Sequence, residues 1–126
     1  MQTLNVRGIR GANVVAENTK SAIHHATREV LTQIIRLNRI AVDEIAAIYF
    51  TLTIDLNAAF PAEVAREMGM TKVPLLCMQE IAVPNNLPKV VRILMLVNTT
   101  LRQEEIKHVF IGKAKVLRDD INPEEE

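Results

Sequence analysis

The stretch Lys89-Val90-Val91-Arg92-Ile93-Leu94-Met95-Leu96-Val97-Asn98 constrains the fold more than any other part of the chain. Its aliphatic and β-branched residues make it the most strand-like segment present. Alternation sets Val90, Arg92, Leu94 and Leu96 on one face and Val91, Ile93, Met95 and Val97 on the other. A strand apolar on both faces needs cover on both. Only one long amphipathic helix is legible: Ile23, Ala26, Val30, Leu31, Ile34 and Leu37 recur at spacings of three and four. One helical layer covers one side of a sheet, so the other side is expected to meet a second copy of the chain.

The remaining segments supply the partners of that strand. Residues 4–15 read as a strand interrupted by Gly8 and Gly11, which implies a bulge or a close backbone approach. Asn18 or Thr19 is placed to cap the long helix, which runs to about Asn38. Residues 45–53 are β-branched and aromatic, hence a strand. Pro61 suits the first turn of a short helix ending near Met68, with Gly69 free to turn left-handed beyond it. Residues 73–83 are extended, residues 84–88 form a turn, and residues 107–117 read as a last strand. About five strands, one long helix and one short one fit a single α+β domain over residues 1–118. Residues 119–126, dominated by acidic side chains, are expected to fray.

Composition narrows the class. Fifteen Lys and Arg oppose fifteen Asp and Glu, a formal net charge of zero, without the basic stripe that tracks a phosphate backbone. Apolar runs fall far short of the roughly 18 residues a membrane-spanning helix requires. Neither nucleic acid nor a membrane is an expected partner. The opening MQTLNVRGIRG lacks the apolar run of a secretory signal, and the lone Cys77 cannot form an internal disulfide. Both features point to a cytoplasmic setting.

The informative residues are charges inside apolar strands. Arg92 cannot shed its proton to escape burial, so it must meet an anion or reach water along its stem. Glu80, between Cys77-Met78-Gln79 and Ile81-Ala82-Val83, is in the same position. Two readings are open: the two neutralise each other as a structural ion pair, or they line a pocket for a polar anionic ligand. Arg7 and Arg10 lie three apart, which in a regular strand sends them to opposite faces. At most one of them therefore points into a given pocket unless the chain bulges at Gly8, and spacing does not say which. His24 and His25, adjacent on a helix, do not converge on a metal and read as surface residues. His108 has no Cys or Asp cluster beside it, and Cys77 reads as a small buried hydrophobe. No metal or cofactor is expected. A phosphate-cradling glycine loop and a nucleophile elbow are both missing.

Five motifs occur in order: Arg7-Gly8-Ile9-Arg10-Gly11-Ala12, Phe60-Pro61-Ala62-Glu63-Val64-Ala65-Arg66, Val73-Pro74-Leu75-Leu76-Cys77-Met78-Gln79-Glu80, Val91-Arg92-Ile93 and Lys107-His108-Val109-Phe110. Together they resemble the small monofunctional chorismate mutases of the trimeric pseudo-α/β-barrel class, over nearly the whole chain. The resemblance implies a five-stranded mixed sheet packed against one long and one short helix, and a homotrimer with active sites between subunits. It implies conversion of chorismate to prephenate, an intramolecular [3,3] rearrangement in phenylalanine and tyrosine biosynthesis that needs no nucleophile, proton shuttle or cofactor.

By position, the resemblance makes Arg10 the grip on the side-chain carboxylate and Arg92 the donor to the ether oxygen and a carboxylate. Glu80 becomes the acceptor of the ring hydroxyl. Phe60, Ala62, Leu117 and the stretch Leu76, Cys77, Met78, Gln79 form walls, with Arg66 near the entrance. Phe110 stands where the family usually has tyrosine, Leu76 where a small hydroxyl residue is common, and Glu63 where some relatives have lysine. Two other functions fit such a scaffold: a trimeric ligand-binding protein without turnover, and an enamine or imine deaminase, which would not need Glu80.

Overall fold

In the computed structural model, which describes residues 3–120, the two-faced apolar strand is the middle of five. We label it β4, Val90–Thr99. Around it lie β1 (Asn5–Val14), β2 (Ile45–Leu52), β3 (Leu75–Gln79) and β5 (Val109–Phe110), in the order β3-β2-β4-β1-β5. β4 runs antiparallel to both β1 and β2, while β3 lies parallel to β2 and β5 parallel to β1. The sheet is therefore mixed, as expected.

The long helix α1 spans Lys20–Leu37, and Thr19 caps it by accepting from the N–H of Ala22 at 3.1 Å. Its buried stripe comprises Ile23, Ala26, Thr27, Val30, Leu31 and Ile34. That stripe lies over Ile9, Ile48, Phe50, Ile93, Met95 and Val97, which alternate along β1, β2 and β4 and form the main core. The short helix α2, Ala62–Glu67, follows Pro61, and Gly69 leaves it at φ +99°, in the left-handed region glycine favours.

Gly11 is a close approach and not a bulge. The pairing of β1 with β4 runs unbroken from Asn5↔Thr99 to Val14↔Val90. A β-carbon on Gly11 would stand 2.7 Å from Ile34 Cδ1 and 2.9 Å from Val30 Cγ2. The glycine thus sets how near α1 lies to the sheet.

One segment departs from expectation. Residues 107–117 are not a continuous strand: only Val109–Phe110 pairs, and Gly112–Asp120 forms a 3₁₀ helix. Gly112, at φ +57°, turns the chain. The apolar residues beyond it recur at three, the 3₁₀ repeat, so Ala114 and Leu117 both return to a small cluster with Ala12, Val90 and Phe110. Residues 119 and 120 of the expected tail belong to this helix, and 121–126 lie outside the described residues.

Candidate active site

The face of the sheet away from α1 carries two successive rows of side chains. Cross-strand pairing gives one row as Met78, Thr51, Arg92, Ala12 and Phe110, and the next as Leu76, Tyr49, Leu94 and Arg10. Arg92 and Arg10 thus rise from adjacent strands, one row apart, on the same face. Arg7 lies on the opposite face, where its Nε donates to the carbonyl of Leu101 at 2.9 Å. The structure makes the choice that spacing leaves open: Arg10 shares a face with Arg92, and Arg7 does not.

Glu80 follows directly after β3 and joins the first row. Its main-chain N–H continues the pairing by donating to Leu52 O at 2.8 Å. Its carboxylate accepts from Thr51 Oγ1 at 2.7 Å and from Arg92 Nη1 at 2.8 Å. The ion pair considered from the sequence therefore exists. It engages one nitrogen of a guanidinium that offers five N–H donors across three nitrogens. Side-chain exposures of 30% for Arg92 and 13% for Glu80 put the pair at the edge of solvent, with a donor edge still to offer. Ala12, only a methyl group, separates Arg92 from Phe110, and Arg10 Cζ lies 5.4 Å from the centre of the Phe110 ring. Leu117 packs beside Phe110.

Other expected site residues stand elsewhere. Phe60 is two-thirds exposed ahead of α2, Arg66 is exposed on α2, and Ala62 is buried in the core. Cys77 and Gln79 alternate with Leu76 and Met78, so they project toward α2, away from Arg92. A hollow of about 620 Å³ at this sheet edge is lined by Phe60, Pro61, Glu63, Cys77 and Gln79, and by Met78 from the Arg92 row. Burial pushes the Cys77 thiol up, outweighing the Ala62 backbone and Arg66, which pull it down. The thiol is therefore protonated near neutral pH and is no nucleophile. One chain gathers Arg10, Arg92, Glu80, Leu76, Met78, Phe110 and Leu117 on one face, and Phe60, Ala62, Arg66, Cys77 and Gln79 on the other side of the sheet.

Some participants escape a reading of the sequence. Thr51 orients Glu80, but the β2–β3 register that joins them has no local signal. His24 is not a free surface histidine: its Nε2 lies 3.0 Å from Glu63 Oε1, joining α1 to α2. Four residues along each helix, Arg28 Nη2 meets Glu67 Oε1 at 2.7 Å. The charge of Glu63 is thus met by a hydrogen-bond donor at the entrance to the smaller hollow. A larger hollow of about 1120 Å³, between the end of α1 and residues 98–110, contains none of Arg10, Glu80 or Arg92. Among the described residues no group of three His, Cys, Asp or Glu could hold a metal ion, and no helix is long and apolar enough to cross a membrane.

Known proteins resemble this chain over most of its length. A chorismate mutase AroH of Thermus thermophilus is 50% identical over 117 residues, covering 92% of this chain and 96% of that one. One of Bacillus subtilis is 39% identical over 118 residues, 93% of each. The solved structure of a chorismate mutase from Clostridium thermocellum superposes with a TM-score of 0.85 at 46% identity, covering 86% of this chain and 97% of that one. The family model for chorismate mutase type I matches residues 6–121, so the chain belongs to that family.

Proposed function

We propose that this protein converts chorismate to prephenate by a [3,3] rearrangement, in the cytoplasm, as a homotrimer whose active sites lie between subunits. The observation that carries the proposal is the gathering of Arg10, Arg92 and Glu80 on the sheet face opposite α1, which the chain's own elements cover only around Ala12, Val90 and Phe110. The rearrangement breaks one C–O bond and forms one C–C bond within a single molecule. The protein must hold a flexible dianion in its compact reactive form and meet the negative charge that builds on the departing ether oxygen.

The two arginines divide these tasks. Arg10, stacked on Phe110, grips the side-chain carboxylate. Arg92, aimed by Glu80, donates to the ether oxygen and a carboxylate. Because the ether oxygen is more negative in the transition state than in bound substrate, the Arg92 contact raises the rate and not merely the affinity. Glu80 accepts from the ring hydroxyl with its orientation held by Thr51.

The walls come from two chains. Phe60 and Arg66, exposed around α2, stand away from Arg92 in their own chain and reach such a pocket only from a neighbour, whereas Ala62, buried in the core beneath them, contributes no wall. Leu76, Tyr49 and Leu94 form the apolar ground on which that neighbour rests; Leu76 is half exposed and Leu94 is 39% exposed in the single chain.

Following the loss of chorismate absorbance on purified protein, with a native mass measurement alongside, tests both parts. Turnover by a trimer is the expected result. A folded monomer, or a trimer that binds chorismate without consuming it, would contradict the proposal.

A further inference from the structure

The proposed role of Arg10 requires its guanidinium to be held in place, yet the strand that carries it has a weakly paired edge. On that edge β5 contributes only two paired positions, Gly11↔Val109 and Ala12↔Phe110. Just before them, the main-chain N–H of Arg10 donates to Nδ1 of His108 at 3.0 Å. A side chain here does the work of a strand carbonyl and extends at its start a ladder whose far end is the bond from Ile111 N–H to Ala12 O at 3.0 Å. For Nδ1 to accept, it must carry a lone pair, so this bond belongs to the imidazole with its proton on Nε2.

The peptide ahead of His108 is bracketed in turn. Asn38, buried at the end of α1, donates from Nδ2 to Lys107 O at 2.9 Å and accepts at Oδ1 from Lys107 N at 2.9 Å. Its Nδ2 also donates to Ile34 O at 2.9 Å, which ties the bracket to the last turn of α1. An unbroken series of contacts thus runs from α1 through Asn38, Lys107 and His108 to the backbone of Arg10. Two residues past His108, the Phe110 ring meets the Arg10 guanidinium.

We infer that His108, braced by Asn38 through Lys107, is a positioning residue that fixes the Arg10 peptide so that its guanidinium is aimed at the substrate carboxylate. This inference rests on the proposed substrate-binding role of Arg10. A long side chain magnifies a tilt at its Cα, and misplacement of a binding group by an ångström is costly. Arg10 touches a carboxylate that is charged in both bound substrate and transition state, so loosening it weakens binding more than it slows the chemical step.

The test compares His108→Asn, His108→Gln and His108→Ala. Asparagine places its Oδ1 where Nδ1 stands, whereas the glutamine oxygen falls nearer the Nε2 position. With chorismate as substrate, KM should rise about tenfold in the Gln and Ala variants while kcat changes less than about threefold, and the Asn variant should stay within about threefold of the parent. Hydrogen exchange of the Arg10 amide gives a readout independent of turnover. It should be slow in the parent and Asn proteins and faster in the other two. If the Ala variant does not fold, the Asn–Gln pair carries the comparison. A parent protein without turnover would sink the catalytic reading and leave the exchange test standing. A Gln variant matching the parent in KM and exchange, or an Asn variant as impaired as Gln, would overturn the role of His108.

Discussion

The two faces of the sheet are built from the same kinds of residue and end in opposite conditions. Under α1, Ile9, Ile48, Phe50, Ile93, Met95 and Val97 are almost fully buried, packed so closely that Gly11 leaves no space for a methyl group. On the far face, Leu94 and Leu76 remain substantially exposed, and Gly8 has Leu94 Cδ1 no nearer than 3.4 Å to a β-carbon built upon it. The first face is finished by its own chain, while the second is closed only around Ala12, Val90 and Phe110 and carries Arg10, Glu80 and Arg92. The contrast shows how a small domain keeps polar side chains at an apolar surface: the closed face supplies the stability, and the open face is left for the assembly and chemistry proposed above.

The sharpest way to break this contrast is Leu94→Glu. A carboxylate in the middle of the open face should convert the assembly to single chains and remove essentially all turnover, while circular dichroism shows the fold kept by the closed face. A trimer that survives the change would place the interface elsewhere. Next in size, Arg92→Gln keeps bulk and removes charge, and kcat should fall at least about 10²-fold with assembly unchanged. Near-normal turnover would reduce the Arg92–Glu80 pair to structure alone.

On the closed face, Gly11→Ala should lower unfolding free energy by about 1–3 kcal/mol in denaturant titrations, because Ile34 and Val30 must move aside. The same change at Gly8 should cost less than about 1 kcal/mol, since only an ordinary contact is made there. An equal loss at both glycines would deny that the faces are packed differently. Smallest of all, Phe110→Tyr adds a hydroxyl beside Arg10 and should lower the KM for chorismate a few-fold, by about one hydrogen bond's worth of affinity. A large loss of activity would mean that the pocket is shaped around phenylalanine.

Much of this contrast is readable from the chain, for identifiable reasons. The double apolar face of β4, the stripe of α1, the Thr19 cap and the left-handed Gly69 are dictated by residues near one another in sequence, where alternation, helical spacing and φ preferences act directly. The opposition of Arg7 and Arg10 is equally local. What escapes is set at long range. Which arginine shares a face with Arg92 depends on the β1–β4 register. The contact of Thr51 with Glu80 depends on the β2–β3 register, established through α2. His24 looks like a surface residue until α2 docks and brings Glu63 to it. Residues 107–117 have a strand's composition, but Gly112 and the spacing of Ala114 and Leu117 favour a 3₁₀ helix once Ala12 and Phe110 offer a surface.

The proposed pocket between copies is tested most directly by complementation between two crippled chains. Arg92→Gln removes a charge from the open face, and Arg66→Glu spoils the contribution made from behind the sheet. Each variant alone should be nearly inactive. Co-expressed or refolded together in equal amounts, they should recover about a quarter of parental activity, the chance that a site in a cyclic assembly draws an intact Arg92 from one copy and an intact Arg66 from the next. Mixed assemblies that stay as inactive as either variant would show that both residues of each site come from one chain, and the pocket between copies would be ruled out.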